Sequence, residues 1–256
     1  VRIGRTKMSD NPFERFGIKH LSHSNLELAR QEPALWVLRY LYKIYDPANC
    51  AMERGKAVEH GCDIFHHRSE FDDPAQEALD QFNKATALGF DGEAREKEAA
   101  NVPSMVNQYI DLFEGEPPIV DAYQRRIEVE IPGIPVPVIG FTDFEFEDTI
   151  VDLKTTTRLP SSISAAHRRQ GSIYSRASGN RGVDFIYVTP KKAARYALED
   201  ADQAWAEVCG SAHSLMHALS RYETKEEIAK SVIPNYDSFY WNNPSTRESG
   251  RKIFGY

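Results

Sequence analysis

Asp143, Asp152 and Lys154 are the residues whose types and spacing could do chemistry, within the stretch GFTDFEFEDTIVDLKTTT at residues 140–157. In an extended strand side chains alternate between faces, so Asp152 and Lys154 point the same way while Leu153 points opposite. A hairpin through this stretch brings Asp143 across from Asp152. Two carboxylates brought together repel, and their ionised forms become favourable only when a cation or a lysine sits between them. Hard divalent cations such as Mg²⁺ take oxygen ligands of this kind and keep several waters, so an open site with two carboxylates suits phosphate chemistry. Lys154, facing the same point, could stabilise charge on a phosphate or hold an attacking water. Taken alone, the tripeptide Asp152-Leu153-Lys154 is a weak signal and fits a surface hairpin with a structural salt bridge better than a catalytic site.

The elements that must position these residues follow from local composition. Ile139, Phe141, Phe144 and Phe146 are strand formers, Glu147-Asp148 is a polar break, and Thr149-Ile150-Val151 resumes β-rich sequence. Residues 123–131, 136–146 and 149–154 therefore read as a three-stranded meander, with a turn at Pro132-Gly133-Ile134-Pro135. Upstream, residues 24–42 read as helical, with Ser24 as N-cap, Leu26, Ala29, Leu35, Leu38 and Leu41 at helical spacing, and Pro33 dividing the run in two. Residues 52–65 form a helix with Ala51, Val58, Cys62 and Phe65 as its buried stripe. Helices at 74–85 and 95–114, with a loop at Phe90-Asp91-Gly92, make a helical insert at 74–116. Downstream, residues 161–178 form a helix on which Gln170 and Tyr174 lie four apart on one face. Both can donate hydrogen bonds there to a sheet edge or a substrate phosphate, although Tyr174 also suits the core. The apolar run 184–189 belongs beside the strand bearing Asp152, parallel to it through a right-handed crossover. A long amphipathic helix spans 198–222, and a tail rich in aromatics spans 228–256.

Five short patterns in this order resemble one family. They are Leu21-Ser22-His23-Ser24-Asn25-Leu26 with Glu32-Pro33-Ala34-Leu35-Trp36 and Tyr40-Leu41; Arg54-Gly55-Lys56-Ala57-Val58-Glu59-His60-Gly61; Gly140-Phe141-Thr142-Asp143; Val151-Asp152-Leu153-Lys154-Thr155; and Gln170-Gly171-Ser172-Ile173-Tyr174. Together they are similar to the PD-(D/E)XK nuclease superfamily, in the branch of RecB-type and phage lambda-type exonucleases and the CRISPR adaptation nucleases. The resemblance implies an α/β, restriction-endonuclease-like core: a central mixed β-sheet flanked by helices, with a helical insert and a C-terminal helix plus tail. It implies a single nuclease domain over residues 1–256, its core at about 21–222.

The resemblance also assigns roles. Asp143, Asp152, the Leu153 carbonyl and Glu59 are expected to hold Mg²⁺, with Mn²⁺ as substitute, and Lys154 to act on water or on the phosphate. Glu59 is four residues beyond Gly55, where the family places its first-helix ligand. His60, turned about 100° round the helix, is the alternative. Gln170 and Tyr174 are expected to support the site and contact DNA. The remaining DNA-facing residues expected are Arg54, Arg158, Arg168, Arg169, Lys191 and Lys192. The activity implied is a metal-dependent DNA exonuclease acting at linear ends in phage or bacterial recombination, with an annealing or recombination protein as partner and a homo-oligomer as possible assembly. A structure-selective endonuclease and a noncatalytic DNA-binding module are the alternatives, and the intact Asp143, Asp152 and Lys154 disfavour the second.

Composition bounds these readings. The three cysteines, Cys50, Cys62 and Cys209, are scattered without C-x-x-C spacing. They suit a reducing cytosol and cannot reproduce the four-cysteine iron–sulfur pattern of some relatives, so no cluster is expected. No apolar run reaches the length of a membrane span, so no membrane partner is expected. A net charge of −7 is unfavourable for a polyanion partner on average. Yet the acids gather at 93–98, 114–116, 145–148, 199–202 and 223–227, while Arg125-Arg126, Arg158, His167-Arg168-Arg169, Lys191-Lys192, Arg195 and residues 247–252 bracket the motifs. A local basic channel in an acidic particle suits a nuclease that threads a strand end.

Overall fold

The structure, a computed structural model, describes residues 11–67, 73–90, 92–114 and 120–255. Asp91 of the expected loop, residues 115–116 of the expected insert and the tail's Tyr256 lie outside them. Helix starts fall where short polar side chains precede apolar-periodic runs. Asn11 caps α1 (Pro12–Arg15), and Ser22 caps α2 (His23–Gln31) by accepting from the Asn25 amide. The cap is thus Ser22 and not the expected Ser24, which is the second residue of the helix. Pro33 divides the run as expected, at the first position of α3 (Pro33–Trp36), which continues into a π-helical turn at Val37–Leu41. Next come α4 (Cys50–His67), α5 (Pro74–Ala85), capped by Asp73, and α6 (Gly92–Asp111).

The strands are β1 (Ala122–Tyr123), β2 (Arg126–Val129), β3 (Val138–Phe141), β4 (Phe144–Glu145) and β5 (Thr149–Thr155). Helix α7 (Ala165–Ala177) follows, starting later than expected because Ser164 is its cap. The chain ends with β6 (Gly182–Val188), β7 (Ala193–Ala197), α8 (Ala201–Ser220), α9 (Lys225–Ser231), a 3-10 turn at Phe239–Trp241 and α10 (Pro244–Phe254). The stretch holding β7 lies between the run 184–189 and the helix expected from 198, and no element was expected there. Its half-buried AARYA pattern is a weak strand signal, and pairing to β6 decides it.

The chain divides into two compact units. One comprises residues 1–47, 128–140 and 202–256. Its buried side chains include Leu21, Leu26, Leu35, Leu38, Val138, Leu219 and Trp241. The expected aromatic tail is largely helical: Trp241 is fully buried, and Gly250 lies so close beneath it that an added Cβ would meet the indole at 2.6 Å.

The other unit, residues 48–127 and 141–201, carries the five-stranded sheet in the order β1-β4-β5-β6-β7. β5 and β6 are parallel, and the other pairings are antiparallel. The expected meander is divided between sheets, because β2 pairs with β3 in a separate two-stranded sheet while β1 pairs with β4. Both hairpin arms break at one level. Gln124 takes φ +47°, and the Thr142 amide donates to the Arg125 carbonyl at 3.0 Å.

Strand alternation sorts β5 and β6 into two faces. Val151, Leu153, Ile186 and Val188 pack with Val58, Cys62, Phe65, Met105 and Tyr109 of α4 and α6. Gly61 permits this packing, since a Cβ there would meet Pro74 O at 2.7 Å and Ala78 Cβ at 2.8 Å. Ala51, expected in the buried stripe, is exposed, and Ala57 takes its place. Asp152, Lys154, Phe185 and Tyr187 occupy the opposite face, paired Asp152 to Phe185 and Lys154 to Tyr187.

Candidate active site

Phe144 pairs with Val151 and Glu145 with Ile150, so Asp143 falls opposite Asp152 as the hairpin predicts. β4 ends there, and the edge of β5 beyond it is taken over by a side chain: the Leu153 amide donates to Asp143 Oδ2 at 2.7 Å. A strand residue's N–H and C=O leave on the same edge, which places the Leu153 carbonyl on the Asp143 side as well. Lys154 Nζ lies 2.6 Å from Oδ2 of the fully buried Asp152. From α7, Gln170 Nε2 donates to Asp152 Oδ1 at 2.9 Å and to the Tyr174 hydroxyl at 2.7 Å. Gln170 and Tyr174 share a helix face with His167, three residues before Gln170, whose Nδ1 lies 2.6 Å from the Tyr187 hydroxyl.

The electrostatics follow from this crowding. Burial pushes the Asp143 carboxyl well above the usual carboxylate range, and the charges of Asp152 and Glu59 add to the shift. Lys154 and the Leu153 amide oppose it only in part. Burial alone would lower the Lys154 ammonium, but Asp152, Asp143 and Glu59 outweigh it and hold the group above its ordinary value. Tyr174 is raised by burial and then by Asp152, while Tyr187 is pushed up to about 12, chiefly by burial.

Glu59 reaches this cluster from α4. It accepts from Gln124 Nε2 at 2.7 Å, and after burial it is the main group that raises the Tyr123 hydroxyl above its ordinary value. The acids whose charges act on Asp143 are Asp152 and Glu59. His60 is half-buried on the same helix.

The expected DNA-facing residues separate into two sets. Arg158, Lys191 and Lys192 are exposed in the segments that follow β5 and β6, at the same sheet end as Lys154 because those strands run parallel. Arg168 is half-buried and paired with Asp200 at 3.0 Å. Arg169 is buried, and Arg54 is buried against Glu98 at 2.6 Å with a second contact to Thr155 Oγ1 at 3.4 Å. Arg54 is therefore placed to fix α4 against β5.

Sequence reasoning missed three groups. Gln124 and Tyr123 gave no signal, since a glutamine beside a short strand is commonplace. His167 with Tyr187 was visible only as a basic cluster and an apolar strand. Glu145, grouped with the solvated acids of 145–148, is instead buried, accepting from Arg125 Nε at 2.9 Å, Arg181 Nη1 at 2.9 Å and Thr142 Oγ1 at 2.9 Å. Arg125 is spent there, outside any basic channel.

The donor set fits a hard divalent cation. Asp152 Oδ2 is buried and, apart from its ion pair with Lys154, makes no hydrogen bond among the described residues. Among the described residues no group of three or more His, Cys, Asp and Glu side chains that could hold a metal ion is present, so Glu59 does not complete a three-acid group with Asp143 and Asp152. The carboxylates of Asp143 and Asp152 are of the kind that Mg²⁺ takes, one or two at a time.

The sequence pattern of the PD-(D/E)XK nuclease superfamily matches residues 20–240. Among solved structures, a protein from Eubacterium rectale proposed to be an exonuclease superposes with a TM-score of 0.58 at 14% identity, covering 94% of each chain. A second, the protein SSO0001, covers 76% of this chain and 95% of its own at 15% identity, and its TM-score of 0.35 carries no argument. No curated protein matches the sequence.

Proposed function

The chain belongs to the PD-(D/E)XK nuclease superfamily, and from that premise we propose that it is a Mg²⁺-dependent exonuclease hydrolysing phosphodiester bonds at the ends of linear DNA. The observation that carries this reading is the convergence of Asp143, Asp152 and Lys154 on one edge of β5, with Asp143 held above its ordinary carboxylate range by burial first and by the charges of Asp152 and Glu59 in addition. A divalent cation held by Asp143, Asp152 and the Leu153 carbonyl, with Glu59 beside them, would supply positive charge at the scissile phosphate and make water more acidic.

The chain's own groups do the rest. Lys154, kept cationic by the surrounding acids, faces the phosphate and orients the attacking water or carries charge that develops on oxygen. Gln170 fixes Asp152 Oδ1, leaving Oδ2 toward Lys154. Tyr174, a hydroxyl at neutral pH, holds Gln170 in place. Arg158, Lys191 and Lys192 form a cationic rim at this end of the sheet, where a strand's phosphates are neutralised as they approach.

End processing in recombination, beside an annealing or recombination partner in a bacterial or phage-infected cytosol, is the setting such chemistry suits. A similar fold in a protein proposed to be an exonuclease supports the preference for ends. No helix among the described residues is long and apolar enough to cross a membrane.

The test is incubation of end-labelled linear DNA and covalently closed circular DNA with Mg²⁺. Degradation of the linear substrate alone is the expected result. Nicking of circles would replace the proposal with an endonuclease, and cleavage of neither would leave a DNA-binding module.

A further inference from the structure

Tyr123 and Gln124 are consecutive, yet both lie toward the same carboxylate: Gln124 Nε2 donates to Glu59 Oε1 at 2.7 Å, and Glu59 also acts on the Tyr123 hydroxyl. In a regular strand, neighbours point to opposite faces and could not converge. Convergence is achieved by the backbone: Gln124 takes φ +47°, a left-handed conformation that L-residues other than Asn, Asp and His adopt rarely. The position marks the step at which the chain leaves its pairing with β4 and enters β2, and at such a φ glycine is the unstrained choice. Gln124 is exposed, so core packing does not explain the side chain kept there. Its amide N–H donates to the Asp143 carbonyl oxygen at 3.1 Å. One strained residue therefore ties α4, which carries Glu59, to the turn that carries Asp143.

We propose that Gln124 is a positioning residue for the metal site, holding Glu59 toward Asp143 through a neutral donor. This rests on the reading above in which Glu59 borders the cation. Neutrality matters because an arginine or lysine at this point would satisfy Glu59 and compete with the cation for its charge. Gln124 fixes the orientation of the carboxylate and leaves its negative charge uncancelled. The backbone strain is the cost of aiming the amide at α4.

The test measures Mn²⁺ binding to the purified full chain by calorimetry without DNA, beside thermal unfolding. Gln124→Gly removes the donor and relieves the strain. Gln124→Met keeps the length and the strain but removes the donor. Both variants are expected to bind Mn²⁺ about 10-fold more weakly, the size seen when an outer partner of a metal ligand is lost. The unfolding midpoint of Gln124→Gly should equal or exceed that of the wild type. Combining Gln124→Met with Glu59→Gln should weaken binding no further than Glu59→Gln alone. Wild-type affinity in both Gln124 variants, with Glu59→Gln impaired, overturns the positioning role and leaves the site intact. Wild-type affinity in Glu59→Gln as well, or no Mn²⁺ binding by the wild type, overturns the Glu59 reading or the metal site itself, and the inference with it.

Discussion

Asp143 and Glu145 stand two residues apart, and the protein treats their charges in opposite ways. Glu145 is buried among Arg125, Arg181 and the Thr142 hydroxyl, so each of its oxygens has a donor and its charge is matched. Asp143 accepts from the Leu153 amide and shares its surroundings with Asp152 and Glu59, with the Lys154 ammonium opposing their charge. Burying a carboxylate is tolerable when cations and hydrogen bonds satisfy it. Glu145 shows that solution carried through, and it holds the turn that presents Asp143. The Asp143 cluster departs from it by leaving negative charge over, which is what a site that takes up a cation requires.

The comparison breaks first, and most visibly, at Lys154. Lys154→Ala should lower single-turnover cleavage of end-labelled DNA by about 10³-fold, the scale for losing a group that stabilises charge only in the transition state. Circular dichroism should show the fold retained. Mg²⁺-dependent activity persisting in the purified variant would place the chemistry elsewhere. At Glu145 the effect should fall on stability instead. Glu145→Gln leaves Arg125 and Arg181 without their counter-charge and should cost about 2–3 kcal/mol, less than the loss from a fully buried pair because Arg125 is half exposed. A lowered urea midpoint with near-normal Mn²⁺ affinity is the expected pattern. A variant of normal stability that no longer binds Mn²⁺ would move Glu145 into the site and dissolve the contrast.

Much of this was legible in the sequence, for reasons specific to each residue. The alternation of Asp152, Leu153 and Lys154 and the hairpin register to Asp143 are local consequences of strand geometry. Gln170 and Tyr174 follow from helical spacing, and the parallel strand 184–189 from its apolar run. What sequence could not show depends on distant pairing. The division of the meander turns on a left-handed Gln124, which composition does not announce. The two fates of Asp143 and Glu145 are decided by Arg181 and Arg125, 36 and 20 residues away from Glu145. Arg54, expected to face DNA, is paired with Glu98, 44 residues on, a partner that no local pattern indicates.

The smallest expected effect is the sharpest on the comparison, because its sign opposes that at Glu145. Asp143→Asn keeps an oxygen to accept from the Leu153 amide and removes the charge that faces Asp152 and Glu59. A carboxyl whose pKa is raised on folding holds its proton more tightly folded than unfolded. Wild-type stability therefore declines as pH rises from about 4, the unfolded value, through the raised folded value. The variant lacks that decline. Its advantage should be absent below about pH 4 and grow above it, reaching about 1 kcal/mol, the upper size for like charges placed opposite one another on a sheet, or a rise of about 2–4 °C in Tm. Mg²⁺ should invert the order, since a ligand that binds only the folded state stabilises it by mass action and the wild type retains the carboxylate that binds it. Scans at pH 4 and pH 8, with and without Mg²⁺, check all four arms. An Asn variant less stable than the wild type at pH 8 without Mg²⁺ would mean that Asp143, like Glu145, is a satisfied structural acid, and that no excess charge awaits a cation.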